Sequence, residues 1–185
     1  MWKRMSITLG LLLFINASIA YGGSFKLYSP TIKPNSTLTL DQVFNGFGCS
    51  GKNISPALKW SGAPKGTKSF ALSLYDPDAP TGSGWWHWVV YNIPANVTEL
   101  PEGAGEAGGA KLPKGAVQGR TDYGTHAYGG PCPPPGDKPH HYIFTLSALK
   151  VEKIDVPAEA SAALIGYMVH ANRLEKASFT AMYGR

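Results

Sequence analysis

Hydrophobic and polar residues alternate in several short segments of the chain, which is the pattern of β-strands with one buried face. Phe70, Leu72 and Leu74, for example, fall on one face of such a strand, and the residues between them fall on the other. The segments with a strand pattern are residues 36–40, 68–75, 86–93, 141–149 and 177–183. We therefore predict a mainly β fold with one large antiparallel sheet.

One stretch near the C-terminus has a different period. Its apolar residues recur at intervals of three and four, which predicts a single α-helix over residues 160–174, with Asp155 as a nearby capping residue and Pro157 at the entry to the helix. Residues 92–124 are rich in Gly and Pro and show no sustained period, so we expect a long loop with short strand pieces. The apolar residues at helical spacing are Ala160, Ala163, Leu164, Tyr167, Met168, Ala171 and Leu174.

The first twenty residues have the features of a secretory signal peptide. Lys3 and Arg4 precede an apolar stretch over residues 7–15, and small residues follow at Ser18 and Ala20. This order of a basic start, an apolar centre and small residues predicts cleavage after Ala20. The apolar stretch is shorter than the ~20 residues that span a bilayer.

The remaining residues, 21–185, have the length of a single domain. Once Lys3 and Arg4 are removed, 15 basic residues stand against 12 acidic ones, a net charge of +3. This excess is small and contains no basic cluster, so we expect no nucleic-acid partner. No second apolar run is long enough to span a bilayer, so we expect no stable membrane insertion.

Cys49 and Cys132 are the only cysteines in the chain. Export favours a disulfide between them, because disulfides persist in oxidising compartments such as the bacterial periplasm. We predict this bridge, with two unpaired thiols as the alternative. Two cysteines are too few for a cysteine-based zinc site, which usually takes four ligands.

Several polar side chains are placed to meet at one end of the predicted sheet. Asp76 ends one strand and His87 begins the next, so antiparallel pairing brings both to the same end. His140 and Tyr142 are two residues apart on a later strand and project from one face. A third strand beside the first two would add them to the group.

This group has the chemistry to hold a small anion such as a phosphate monoester. Imidazole N–H and phenol O–H groups are donors, and a carboxylate fixes the tautomer of a neighbouring imidazole. The backbone N–H groups of Gly129 or Gly130 are candidates for further donors. Of Trp85, Trp86 and Trp88, we expect at least two to pack in the core.

Two other chemistries stay open. His87, His140, His141 and Asp76 are zinc-ligand types, but adjacent histidines on a strand point to opposite faces, and no HExxH-type spacing occurs. Ser83 lies in the loop before His87, so a serine hydrolase is an alternative, although the chain has no Gly-x-Ser-x-Gly motif. Our prediction is no metal, no cofactor and no catalytic residue.

Four ordered motifs resemble the phosphatidylethanolamine-binding proteins, the family that includes the Raf kinase inhibitor protein, and its bacterial branch in particular. The resemblance covers nearly the whole chain after residue 20. It implies one large antiparallel sheet packed on a smaller one in a Greek-key-like sandwich, with a helix near the C-terminus. The motifs are NISPALKW at 53–60, DPDAP at 76–80, GSGWWHWVVYNIP at 82–94, and Asp122-Tyr123-Gly124 followed by YGGPCPPPGDKPHHYIF at 128–144.

The resemblance also implies an anion pocket at one end of the sheet. The family often carries arginine at the position of His141, so we expect the histidine to alter the charge at the pocket rim. Cys132 interrupts the proline-rich segment and would tie that loop to Cys49. The ligand-binding residues carried over by motif are Asp76, Asp78, His87, Gly130, Pro131, His140 and Tyr142.

Together these features predict a periplasmic, non-enzymatic protein that binds a small anionic or phosphorylated ligand. The sequence leaves open a protein partner and a homodimer. An interaction protein with a vestigial pocket is the alternative function. Inhibition of kinases, which the resemblance implies for eukaryotic relatives, is not expected, because a periplasmic protein does not meet the cytosolic kinases of its own cell.

Overall fold

A computed structural model describes residues 24–185, so the predicted signal peptide lies outside the described residues. Within residues 24–185 the chain forms ten β-strands and one α-helix. The elements in chain order are β1 Lys26–Tyr28, β2 Asn45–Gly46, β3 Cys49–Ser50, β4 Leu58–Ser61, β5 Ser69–Asp76, β6 Trp85–Pro94, β7 Glu99–Leu100, β8 Val117–Gln118, β9 His140–Leu149, α1 Ala162–Asn172 and β10 Arg173–Tyr183.

Five strands form the large sheet, in the order β10-β9-β5-β6-β8, and each neighbouring pair is antiparallel. Strands β1, β4 and β7 form a smaller antiparallel sheet, and β2 pairs with β3 in a short hairpin. The predicted fold class, a mainly β protein with a large antiparallel sheet and a helix near the C-terminus, is confirmed. The short strands β7 and β8 lie in the predicted loop over residues 92–124.

The main hydrophobic core lies between the two larger sheets. Leu58 and Trp60 of β4 face Leu72 of β5, Trp88 of β6 and Phe144 of β9 in one cluster of buried side chains. Burial of an aliphatic or aromatic side chain contributes roughly 1.5–3 kcal/mol. The packing of the large sheet on the smaller one therefore supplies much of the stability of the fold.

The helix α1 covers part of the opposite face of the large sheet. Ile165 packs there in a second apolar cluster with Ala71 and Val89. The cap is Ser161, whose hydroxyl accepts the backbone N–H of Leu164, and not the predicted Asp155. Serine satisfies an orphan N–H of the first turn, whereas Asp155 is too far upstream to do so. The helix therefore begins and ends two residues inside the predicted range of 160–174.

The strand predicted over residues 36–40 is wrong. Thr37 forms an isolated parallel bridge with Met182, and the chain then turns. The turn is closed by the N–H groups of Gln42 and Val43, which donate to the carbonyl of Thr39. The segment therefore pairs with β10 only at this bridge, where the N–H of Leu38 donates to the carbonyl of Met182 and the N–H of Met182 donates to that of Ser36.

A disulfide joins Cys49 and Cys132, as predicted, with 6.0 Å between their Cα atoms. It connects the β2–β3 hairpin to the proline-rich segment before β9. The alternative of two unpaired thiols is wrong. Within residues 24–185, no helix has both the length and the apolar character needed to cross a membrane.

Candidate functional site

Strands β5 and β6 bring Asp76 and His87 to the same end of the large sheet, as the sequence predicts. The pairing of the two strands shifts between Leu74 and Tyr75, where β6 carries one extra residue. Such a bulge bends a strand and redirects a side chain. As a result, the adjacent His87 and Trp88 are both buried, with 2% and 0% of their surfaces exposed.

Strand β9 pairs with β5 on its other side and adds the second histidine. His140 and Tyr142 occupy alternate positions of β9, and both are buried. The predicted third strand is therefore β9. It completes a cluster of Asp76, His87, His140 and Tyr142.

Asp76 is the centre of this cluster. Its Oδ2 atom accepts a hydrogen bond from Nδ1 of His140 at 2.8 Å, and Nε2 of His87 lies 3.9 Å from the same oxygen. Its Oδ1 atom accepts the backbone N–H groups of Asp78 and Ala79 at 2.9 and 3.2 Å. The carboxylate therefore also fixes the start of the loop between β5 and β6.

These contacts determine the charge of Asp76. Burial raises the pKa of its carboxyl group, but the imidazoles of His87 and His140 and the N–H of Asp78 lower it further than burial raises it. The pKa of Asp76 therefore lies below the ordinary value of 3.8. Asp76 is a buried carboxylate at neutral pH.

The acceptors around the two histidines fix their tautomers. Nδ1 of His87 lies 2.7 Å from the carbonyl oxygen of Gly129, and Nδ1 of His140 faces the carboxylate of Asp76. Both partners only accept hydrogen bonds, so each ring carries a proton on Nδ1. Nε2 of each ring therefore carries a proton only when the imidazole is cationic.

The cluster opens into a cavity of about 160 Å³. A buried space of about 150 Å³ accommodates a molecule the size of benzene. The residues lining the cavity combine the polar cluster with apolar and aromatic walls, and they include no Lys or Arg. They are Phe47, Asp76, Ala79, Pro80, Thr81, Trp85, His87, Tyr123, Cys132, Pro133, Pro134, His140 and Tyr142.

Three buried polar atoms in this lining have no hydrogen-bond partner among residues 24–185. They are Nε1 of Trp85, Nε2 of His87 and the hydroxyl of Tyr142. Burial and the charge of Asp76 raise the pKa of Tyr142, so its hydroxyl keeps its proton and is available as a donor. The indole N–H of Trp85 is likewise a donor only. The cavity therefore presents donors that lack an acceptor.

The structure does not bring the predicted Gly130 and Pro131 into the lining. The N–H of Gly130 donates to Oδ1 of Asn53 at 2.7 Å, and the carbonyl of Pro131 accepts the N–H of Phe44. The N–H of Gly129 donates to the carbonyl of His87. These backbone groups are engaged within the protein and lie outside the lining, and a role for Gly130 and Pro131 in ligand binding stays a prediction.

Asp78 and His141 also lie outside the cavity lining. The carboxylate of Asp78 accepts both the backbone N–H and the ring Nδ1–H of His141 at 2.7 Å. His141 is half exposed and points to the opposite face of β9 from His140, as the alternation of a strand requires. His141 is therefore paired with Asp78 outside the lining, and its effect on the charge at the pocket rim stays a prediction.

Three aromatic side chains of the lining, Phe47, Trp85 and Tyr123, were not predicted as site residues. Trp85 was treated only as one of three packing tryptophans, and of these Trp88 packs in the main core and Trp86 against the second apolar cluster. The hydroxyl of Tyr123 donates to the carbonyl of Gly130 at 2.7 Å. The motif around Tyr123 was visible in the sequence, but no periodicity placed it near the sheet.

The alternative chemistries find little support in this arrangement. Ser83 is exposed, its hydroxyl makes no hydrogen bond with His87, and it is not part of the cavity lining. Across residues 24–185, no group of three or more His, Cys, Asp or Glu side chains is arranged to hold a metal ion.

Comparison with known proteins gives consistent matches over most of the chain. The family model for phosphatidylethanolamine-binding protein matches residues 28–184. The protein YbcL of Escherichia coli is 58% identical over 173 residues, which are 94% of each chain, and YbhB of the same organism is 51% identical over 85% of this chain and 99% of its own. The crystal structure of YbcL, described as a new member of the mammalian family, superposes with a TM-score of 0.85 and 59% identity, covering 87% of this chain and 98% of that one.

Proposed function

This chain belongs to the phosphatidylethanolamine-binding protein family, and on that premise we propose that it is a periplasmic, non-enzymatic protein that binds a small phosphorylated anion in the cavity beside Asp76. The observation that carries the proposal is the set of three buried polar atoms without a partner in residues 24–185. Buried polar groups in native proteins are nearly always hydrogen-bonded. Oxygen atoms of an anion would give the donors of Trp85 and Tyr142 the acceptors they lack.

The charge of the cavity depends on its two histidines. Asp76 contributes one negative charge, and no Lys or Arg lies in the lining to balance it. Nε2 of His140 lies 3.5 Å from the carboxylate of Asp137, whereas Nε2 of His87 has no hydrogen-bond partner among residues 24–185. An anion is therefore favoured when His87 carries a proton on Nε2. In that state Nε2–H of His87 becomes a further, charge-assisted donor.

The shape of the cavity favours a small head group with an apolar attachment. Its polar atoms are grouped around Asp76, whereas Phe47, Pro133 and Pro134 form apolar walls. Phe47 is 70% exposed, so this wall continues to the surface. A phosphate monoester bound with its oxygens inward would direct its organic substituent along these residues.

Calorimetric titration with O-phosphorylethanolamine and with inorganic phosphate tests the proposal. Tyr142→Phe removes one donor and keeps the aromatic ring, so we expect affinity to fall about tenfold, in keeping with a lost hydrogen bond to a charged group. Tyr28→Phe removes an equivalent hydroxyl from an exposed position on the smaller sheet and is the matched control. The double variant Asp76→Ala/His87→Ala should lose binding altogether.

Unchanged affinity in a folded Tyr142→Phe protein and in the double variant would contradict the proposal. That result would favour the alternative, an interaction protein with a vestigial pocket. A turnover assay on ester substrates addresses catalysis, and activity that disappears in Ser83→Ala would overturn the non-enzymatic assignment. Recovery of the protein in a periplasmic fraction, with its N-terminus at Tyr21, tests the proposed location.

A further inference from the structure

A second groove lies on the opposite face of the large sheet, where α1 only partly covers the strands. Its volume is about 200 Å³, larger than that of the anion cavity. The polar residues in its lining include the hydroxyls of Ser73, Thr145 and Ser147 on the floor of the sheet. The apolar part of the lining includes Trp86 and Val89 of β6, Ile143 of β9, and Ile165 and Val169 of α1.

The charged residues of this groove are all basic. Arg173 and Lys176 line it, and its lining contains no Asp or Glu. Lys176 is paired with Ser147 of β9 in the sheet, so the basic residues lie at one end of the groove. The guanidinium of Arg173 contacts Nδ1 of His170 at 3.1 Å and has further N–H groups that this contact does not use. One end of the groove therefore offers a site for an anionic group.

The other end of the groove is apolar and lies a fixed distance away. Ile143 is four residues from Ser147 along β9, which corresponds to about 13 Å of strand. A polypeptide backbone advances roughly 3.5 Å for every three bonds, so a saturated chain of about ten to twelve bonds spans the same length. The groove therefore has the dimensions of a medium-length alkyl chain with one charged end.

The presence of glycine at position 166, inside α1, is the feature of the groove that most clearly needs an explanation. Gly166 lies inside α1 and lines the groove, and a Cβ atom added there would have no atom within 4 Å. Glycine in a helix interior costs roughly 0.5–1 kcal/mol relative to alanine. Neither close packing nor an unusual backbone angle requires glycine at this position. The absent side chain does, however, leave the groove open.

We propose that this groove binds a single-chain amphiphilic anion. The carboxylate or phosphate head lies beside Arg173 and Lys176, and the alkyl chain extends over Ile143 towards Trp86, below Gly166. This site is separate from the anion cavity, which lies on the other face of the large sheet. It does not depend on the function proposed for that cavity.

The test is a titration of the protein with decanoate below its critical micelle concentration. Binding is measured by calorimetry and by the change in tryptophan fluorescence. Decyl phosphate distinguishes a phospholipid-like head from a fatty acid, 1-decanol lacks the charge, and acetate lacks the chain. We expect decanoate or decyl phosphate, or both, to bind at least tenfold more tightly than 1-decanol. Acetate should not compete for the groove.

Two variants locate the site. Gly166→Leu places a side chain in the open space, so we expect at least a tenfold loss of affinity for the alkyl anion with a melting temperature equal to or above that of the wild type. Ala163→Leu adds the same side chain at an exposed position of α1 that is not part of the groove and is the control. Arg173→Gln/Lys176→Gln should weaken binding of the anion to the level of 1-decanol, whereas Lys114→Gln should not.

Unchanged affinity of folded Gly166→Leu for decanoate and decyl phosphate would overturn the proposal, and so would the absence of binding by both ligands to the wild type. Equal binding of 1-decanol and decanoate would overturn the role of the basic pair. Loss of decanoate binding in Tyr142→Phe but not in Gly166→Leu would place the ligand in the anion cavity and also overturn the proposal. Tyr142→Phe changes the anion cavity and Gly166→Leu changes the groove. The failure of one proposal can therefore be told apart from the failure of the other.

Discussion

Nδ1 of His140 donates a hydrogen bond to Oδ2 of Asp76 over 2.8 Å, although the two residues are 64 positions apart in the chain. Both side chains are at most 5% exposed, so the bond lies outside bulk water. It joins the end of β5 to the start of β9 and holds the imidazole in one tautomer. A structural bond between two strands thus also sets the protonation chemistry of the cavity.

The stability of the protein should depend on pH through Asp76. The pKa of this carboxyl is lower in the folded protein than its ordinary value of 3.8. Its stabilising contribution is therefore fully present above that ordinary value and is lost as pH falls through the folded pKa. We predict that Asp76→Asn lowers the free energy of unfolding by about 2 kcal/mol at pH 6. The difference from the wild type should narrow below pH 4.

Urea denaturation from pH 2.5 to 7 measures this effect. Asp155→Asn neutralises an exposed carboxylate and serves as the control. Parallel pH profiles for the wild type and Asp76→Asn would show that the ionised carboxylate of Asp76 contributes nothing to folding.

Anion affinity should weaken with rising pH, for a reason set by the tautomers of the two histidines. Nδ1–H of His87 is engaged by the carbonyl of Gly129, so the ring can donate to a ligand only through a protonated Nε2. Histidine side chains commonly change charge between pH 5 and 8. We predict that sulfate, which does not itself titrate in this range, binds at least tenfold more weakly at pH 8 than at pH 5.5. Calorimetry in buffers of different ionisation enthalpy should show proton uptake on binding.

Two variants separate the contributions to this pH dependence. His87→Gln should reduce the slope of affinity against pH, whereas Tyr142→Phe should lower affinity at every pH and keep the slope. Equal affinity for sulfate at pH 5.5 and pH 8 would show that protonation of the histidines does not contribute to anion binding.

Much of the fold and half of the site could be predicted from the sequence, because both depend on local patterns. The alternation in β5 and β9 identified the strands, and antiparallel pairing placed Asp76 and His87 at one end of the sheet. The bulge in β6 could not be predicted in the same way, since it arises from the pairing of two strands. It is the bulge that allows His87 and its neighbour Trp88 both to be buried.

The predicted residues that lie outside the cavity lining share a physical reason for their position. Motifs indicate which residues lie near a site, but not which hydrogen bonds those residues have already made. The N–H of Gly130 donates to Asn53, and Asp78 is paired with His141, so neither group faces the cavity. Trp85 was missed for the opposite reason, because a tryptophan in a strand usually packs in the hydrophobic core. Only the structure shows that its indole N–H has no acceptor among residues 24–185.

The disulfide should contribute a large part of the stability. Cys49 and Cys132 are separated by 83 residues, and closing a loop of this size restricts the unfolded chain. In the loop-entropy description the stabilisation is about 4.5 kcal/mol. We predict that Cys49→Ser/Cys132→Ser lowers the free energy of unfolding by about 2–5 kcal/mol. Alkylation should label two thiols in the wild type only after reduction, and labelling of the native, unreduced protein would contradict the bridge.

Arg185 should act as a positioning residue for the walls of the anion cavity. Its Nε atom donates to the carbonyl of Pro133 at 2.7 Å, and Nη1 donates to that of Gly48 at 2.8 Å. One guanidinium thus links the two loops that the disulfide also joins, beside Phe47 of the cavity lining. We predict that Arg185→Ala keeps the fold but weakens O-phosphorylethanolamine binding about threefold to tenfold. Amide exchange should become faster in the β2–β3 hairpin.

This prediction depends on the planar geometry of the guanidinium, which donates to two carbonyls at once, and not on its charge. Arg185→Lys keeps the positive charge but cannot reach both carbonyls in the same geometry, so it should resemble Arg185→Ala rather than the wild type. Arg120→Ala removes an exposed arginine away from the cavity and is the control. The hydrogen bonds of Arg185 and the disulfide hold the same two loops. The losses of affinity in Arg185→Ala and in Cys49→Ser/Cys132→Ser should therefore not be additive when the variants are combined. Additive effects, or full affinity in Arg185→Lys, would mean that the loops are positioned without the planar guanidinium.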